Sequence, residues 1–213
     1  MPSPQAFAAF AVASLALLVV PGPSVLYIVT RSVQGRAAGL VSVLGIHTGS
    51  IVHVLAAALG VSAILASSAL AFGVVKYAGA AYLIWLGIRA LLRREVEVPE
   101  IGARSRSLRQ IYAQGVVVNV LNPKTALFFL AFLPQFVDPT RGPVTIQVVV
   151  LGFTFIALGL LSDGTYALVS ARVSRRLAGR RGIAGPGRWI PAVTLIALGV
   201  LAALTDHRRS ATA

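Results

Sequence analysis

Residues 6–30 read AFAAFAVASLALLVVPGPSVLYIVT, an apolar run interrupted once, at Pro21-Gly22-Pro23. A bilayer core about 30 Å thick needs roughly 20 apolar residues at helical rise, so a run of this length reads as a transmembrane helix. Met1-Pro2-Ser3-Pro4-Gln5 ahead of it holds no basic residue, whereas a signal peptide opens on positive charge and ends at a small-residue cleavage site. The run is therefore expected to stay as a span. The rest of the chain has the same character. Of its 213 residues 57% are apolar and only 12% are charged, with a mean hydropathy of +0.84. Soluble domains carry about twice that charge fraction, and so few charges cannot cover a water-facing surface. Lipid is the expected solvent.

Scanning outward on the same length predicts six spans, near Ala6–Thr30, Leu40–Leu65, Leu70–Leu92, Ile111–Leu133, Thr145–Val169 and Trp189–Leu204. None alternates strictly, as a membrane β-barrel requires. The expected fold is an all-α integral membrane protein, a single membrane domain over residues 1–213. Arg93–Arg109, with Pro99 and Gly102, reads as a loop. So does the arginine- and glycine-rich stretch Arg172–Arg188, and Asp138–Pro143 reads as a compact turn.

The net charge of +13 resides in short arginine tracts between the apolar runs. Such tracts suit the positive-inside rule and anionic headgroups, not a basic face for nucleic acid. Arg31 and Arg36 of the first loop, with the arginines at 89–109 and 172–188, place fourteen of nineteen basic residues on one side. Lys76, Arg141, Arg208 and Arg209 fall on the other, and Lys124 lies within a span. Both termini are expected to face away from the cytoplasm. With no cysteine in the chain, disulfides and cysteine-ligated metals are excluded.

Two breaks interrupt the spans, Pro21-Gly22-Pro23 in the first and Asn122-Pro123 in the fourth. A proline removes a backbone donor and leaves a carbonyl unpaired, which hydrocarbon tolerates only where the group faces protein or a water-filled cavity. Either break alone also fits a plain structural kink. Together, one hundred residues apart, they suggest that residues 1–98 and 99–213 are repeats. Three spans in each half would force the halves into opposite orientation, and matched broken helices in inverted halves point to a transporter's central site.

Charged groups fall at the same places. Lys124 is near the middle of span four, where an unpartnered lysine costs about 2.5–3.5 kcal/mol on insertion scales. Asn119, Asn122 and Lys124 form a polar stripe, and Asp163 is the only acidic residue in any span, with Tyr166 three residues on. Lys124 could attract a carboxylate, and Asp163 could bind an amine or a proton. The alternatives are an ion pair between them, or an Asp163 that reaches the headgroups. His47 and His53, six apart in span two, make a poor metal pair and read as satisfied interior histidines. Gly45 and Gly49 read as a close-packing helix face.

The order and spacing of these motifs resemble the lysine exporter (LysE) and homoserine/threonine efflux (RhtB) family of bacterial amino-acid exporters. Pro21-Gly22-Pro23, Gly45-Ile46-His47-Thr48-Gly49, Gly79 to Gly87, Asn119-Val120-Leu121-Asn122-Pro123-Lys124, Phe128 to Phe136, and Asp163 with Tyr166 carry the likeness. The resemblance implies an inner-membrane exporter of amino acids or related zwitterions, driven by a proton gradient or the membrane potential, with no cofactor. Its motif residues fall on Pro21, Gly22, Pro23, Asn119, Asn122, Pro123, Lys124 and Asp163. Ser50 stands where members often carry an acidic or amide residue, so specificity here is open. A homodimer is compatible with the resemblance, but no stretch of the sequence fixes an interface. Distant relatives suggest metal or cation efflux, for which one intramembrane aspartate is too few ligands. An intramembrane enzyme would need a nucleophile and base in reach, and no serine–histidine spacing supplies them.

Overall fold

The structure is a computed structural model that describes residues 1–67 and 106–176, with isolated positions at 74, 77, 81, 84, 85 and 88. The expected third span falls mostly, and the sixth wholly, outside these residues, as does Lys76. Among the described residues the secondary structure is helical, without a strand.

Helix α1 (Pro4–Val19) starts where Ser3 Oγ accepts the Ala6 amide at 3.1 Å, with Pro4 where no amide is required. It stops because Pro21 and Pro23 cannot donate to the turn before them. The chain restarts as α2 (Pro23–Ser32), bent by 55° from α1. After a turn in which Gly35 takes a φ of 126°, α3 (Arg36–Ser67) runs for 32 residues. Helix α4 (Leu108–Val120) opens on a capping box between Ser107 and Gln110. At Asn122-Pro123 the path bends by 47° into α5 (Pro123–Phe136).

Within α5 one α-turn widens to a π segment at Phe128–Phe132 and tightens to a 3-10 turn at Leu133–Phe136. Pro134 has no amide for the Leu130 carbonyl, and the change of pitch carries the chain past that gap. The expected turn after it is present: Asp138 Oδ1 accepts the Thr140 amide at 2.9 Å and caps a 3-10 turn. Helix α6 (Val144–Arg176) then runs for 33 residues.

By length and composition, α3 and α6 can each cross a membrane, and the bent pairs α1–α2 and α4–α5 qualify if each is one span. Two boundaries differ from the sequence reading. Helix α6 continues through Arg172 to Arg176, where a loop was expected. Arg31 belongs to α2 rather than to the first loop; it is 2% exposed, donates to Gln114 Oε1 at 3.3 Å and lies over the Tyr27 ring. Charge alone assigned it to a loop, but its apolar stem and the Tyr27 face let it pack.

Helix α3 is central and packs on both α4 and α6. Its contact with α4 is close because a Cβ on Gly49 would stand 2.8 Å from the Val116 carbonyl, and one on Gly115 3.0 Å from that of Ser42. Beside it, the Phe128 ring stacks on Phe132, meets Phe129 edge-on and lies tilted against Phe10 and Phe155, at centroid distances of 5.0–5.9 Å. This aromatic cluster holds the α5 segment against α1 and α6.

Candidate functional site

The three breaking prolines each deprive one carbonyl, four residues earlier, of its helical donor: Pro21 that of Leu17, Pro23 that of Val19, and Pro123 that of Asn119. Each receives a titratable side chain from another helix. Lys124 Nζ donates to Leu17 O at 2.7 Å and to Val20 O at 2.6 Å. Tyr166 Oη donates to Val19 O at 2.8 Å. His53 Nε2 stands 2.9 Å from Asn119 O; a carbonyl only accepts, so this nitrogen carries the proton. The Leu17 and Asn119 carbonyls also accept the Val20 and Asn122 amides, at 3.2 and 3.0 Å; for the Val19 carbonyl the tyrosine supplies a donor whose absence in hydrocarbon would cost several kcal/mol.

Between the breaks runs a chain of uncharged groups. Asn122 Nδ2 donates to Ser24 Oγ at 2.8 Å, and Ser24 Oγ to Asn119 Oδ1 at 3.1 Å. Asn119 Nδ2 donates to Ser50 Oγ at 2.9 Å, and Thr125 Oγ1 to Asn119 Oδ1 at 3.2 Å. Asn122 Oδ1 accepts the Lys124 amide at 3.0 Å and caps α5. Asn119 thus ties α2, α3 and α5 to α4, and at 1% exposure it relies on these partners for its hydrogen bonds.

These groups line a partly open cavity of about 30 Å³, whose wall includes Gly22, Asn119, Lys124, His47 and Asp163. That volume accommodates about one water molecule, less than an amino acid occupies. Gly22 makes room for the lysine, since a Cβ there would stand 3.2 Å from Lys124 Cδ. On the far wall His47 Nε2 lies 3.0 Å from Asp163 Oδ2, with both side chains 4% exposed. Gly159, one turn before Asp163, leaves space for the ring, because a Cβ there would strike His47 Cε1.

The structure thus brings Gly22, Asn119, Asn122, Lys124 and Asp163 to one cavity. Pro21, Pro23 and Pro123 act through the carbonyls they free. Tyr166 faces elsewhere, into an apolar groove of about 500 Å³ beside Leu15 and Val19. Two alternatives from the sequence do not hold: Asp163 pairs with His47 rather than Lys124, and at 2% exposure it is buried rather than reaching headgroups. His47 itself was not among the expected site residues. The signal for it was Asp163, a lone buried acid that needs a partner from another helix. Ser24 and Thr125 also line the cavity, and hydroxyls of that kind leave no sequence pattern. Among the described residues no group of three or more His, Cys, Asp or Glu could hold a metal ion.

Residues 15–206 match the LysE type translocator family. A homoserine/homoserine lactone efflux protein of Salmonella typhimurium is 31% identical over 172 residues, covering 80% of this chain and 83% of the relative. A leucine efflux protein of an Enterobacter species is 27% identical over 204 residues, covering 94% and 95%. An uncharacterized membrane protein of Vibrio cholerae is 30% identical over 168 residues, covering 78% and 82%. No solved structure gives a significant match.

Proposed function

The chain belongs to the LysE type translocator family, and we propose on that premise that it exports amino acids or related small zwitterions across the bacterial inner membrane. It works as a secondary transporter, not an enzyme, and draws on the proton gradient or the membrane potential. The observation that carries the reading is the meeting of two broken helices at one buried polar cavity with Lys124 on one wall and Asp163 on another. A zwitterion presents the complementary pair of charges, carboxylate to Lys124 and ammonium to Asp163. Relatives named as homoserine and leucine efflux proteins support the cargo class.

In this reading Lys124 exchanges the carbonyls of Leu17 and Val20 for the cargo carboxylate, which loosens the α1–α2 break as the cavity opens. Pro21, Gly22, Pro23, Asn119, Asn122 and Pro123 shape and hold that hinge, and Tyr166 steadies it through Val19. Six spans in inverted halves, 1–98 and 99–213, provide the alternating access. The similar bends of 55° and 47° at matched places support this arrangement. Both termini lie outside the cytoplasm, and a second copy of the chain is a compatible partner.

The test is expression in an exporter-deficient bacterium challenged with homoserine, leucine and their analogues. The intact chain should raise tolerance to at least one of them, and Lys124→Ala, at equal membrane abundance, should abolish it. Protection that survives Lys124→Ala would refute the assigned role.

A further inference from the structure

His47 and Asp163 face one another across the cavity wall, and each keeps an atom without a hydrogen-bond partner among the described residues, Nδ1 and Oδ1 respectively. We propose that the Asp163 carboxylate holds either a protonated His47 or the ammonium group of the cargo, never both, so that one proton moves inward for each amino acid exported. The proposal rests on the export reading above.

The argument is one of mutual exclusion. A buried imidazolium is stable only with an opposite charge beside it, and Asp163 is the acid within reach among the described residues. When the cargo ammonium takes the carboxylate, His47 loses that partner and releases its proton to water; the carboxylate stays anionic throughout. Histidine suits the task because its charge changes between about pH 5 and 8.

The other groups around Asp163 leave the exchange intact. Helix α1 contributes apolar Leu17 and Leu18, α2 the uncharged Ser24, and α4 the uncharged Asn119. Tyr27 of α2 and Tyr166 of α6 are committed to the carbonyls of Ile111 and Val19, and His53 of α3 to that of Asn119. Among the described residues Lys124 is the other charged group on the cavity, and in the export reading it takes the cargo carboxylate.

A charge count follows. Without cargo the site holds Lys124, Asp163 and protonated His47, one net positive charge. With a zwitterion bound and His47 neutral, the net charge is zero. The loaded form therefore moves outward uncharged and the proton-bearing form returns carrying one positive charge, so pH gradient and membrane potential both drive the cycle.

The test uses the purified full chain with L-homoserine and L-leucine as probes. Binding is measured in weak buffer with a pH dye, and ¹⁵N-histidine NMR follows His47, assigned through His47→Gln. At a pH where His47 is charged in the free protein, binding should release about one proton per amino acid and convert His47 from imidazolium to imidazole. Apparent affinity should fall toward tenfold per unit of decreasing pH where His47 is charged in the free protein, by reciprocal linkage. His47→Gln should release none and lose that pH dependence; the wild-type proton release and pH dependence of affinity need no signal assignment and stand even if this variant fails to fold. Counterflow in proteoliposomes with no proton release and a His47 neutral throughout overturns the proposal and spares the export reading. Absence of binding and counterflow for both probes overturns the two together.

Discussion

A glycine decides where the imidazole of His47 can stand. Helix α6 carries Gly159 and Gly164, and the space above them differs: a Cβ on the first meets the His47 ring, while one on the second has nothing within 4 Å among the described residues. Replacing either by alanine gains about 0.5–1 kcal/mol of helix preference. At Gly159 the gain is outweighed by overpacking of a planar ring, at about 1–3 kcal/mol. Gly159→Ala should therefore lower the melting temperature of the purified protein and cut export at least several-fold, whereas Gly164→Ala should hold or raise that temperature. A Gly159→Ala protein as stable and active as its parent would mean that the ring has room to move.

The residues differ in how far the sequence revealed them. Lys124 and Asp163 stood out because charge is rare in an apolar span. That Asp163 pairs with His47 did not, since 116 residues separate them and no local spacing encodes a contact between helices. Ser50 was marked only by a family resemblance, and its bond to Asn119 explains what an uncharged group does there.

At the scale of elements, the breaks were readable and their repair was not. Proline fixes where a helix must stop, so Pro21, Pro23 and Pro123 located both bends. Which side chains would satisfy the freed carbonyls depends on packing of distant helices, and the π segment of α5 arises from the conflict at Pro134 inside an aromatic cluster. The repair can be measured at Val19. Tyr166→Phe leaves that carbonyl unpaired and should cost about 1–3 kcal/mol, read as a lower unfolding midpoint in detergent. Pro23→Ala restores a backbone amide, so in that background the same substitution should cost less than half as much. Equal losses in both backgrounds would show that the tyrosine acts through some other contact.

At the scale of the whole molecule, membrane character was legible from composition because too few charges exist to face water. Helical content was legible from run length, and α3 and α6 follow their expected spans closely at the N-terminal side. Charge counting was coarser: it treated Arg31 as loop when the residue is packed inside α2. Setting Arg31 aside leaves thirteen against four, the imbalance on which the proposed sidedness rests. A fusion at Ala213 should accordingly give active alkaline phosphatase and dark green fluorescent protein, as should a reporter joined at Met1. The opposite pattern at either end would invert or break the six-span arrangement.

The stitched carbonyls also bear on how the chain is made. The side-chain donor to Leu17 comes 107 residues later in Lys124, and the donor to Val19 comes 147 residues later in Tyr166. At roughly 5–20 residues per second of synthesis, the first helix pair waits about 5–20 s for the lysine and longer for the tyrosine. During that interval its open turn needs water or the insertion machinery beside it. Release of the first span into lipid is therefore tied to the emergence of the second half, and a chain truncated before residue 124 would be a marked target for membrane proteolysis.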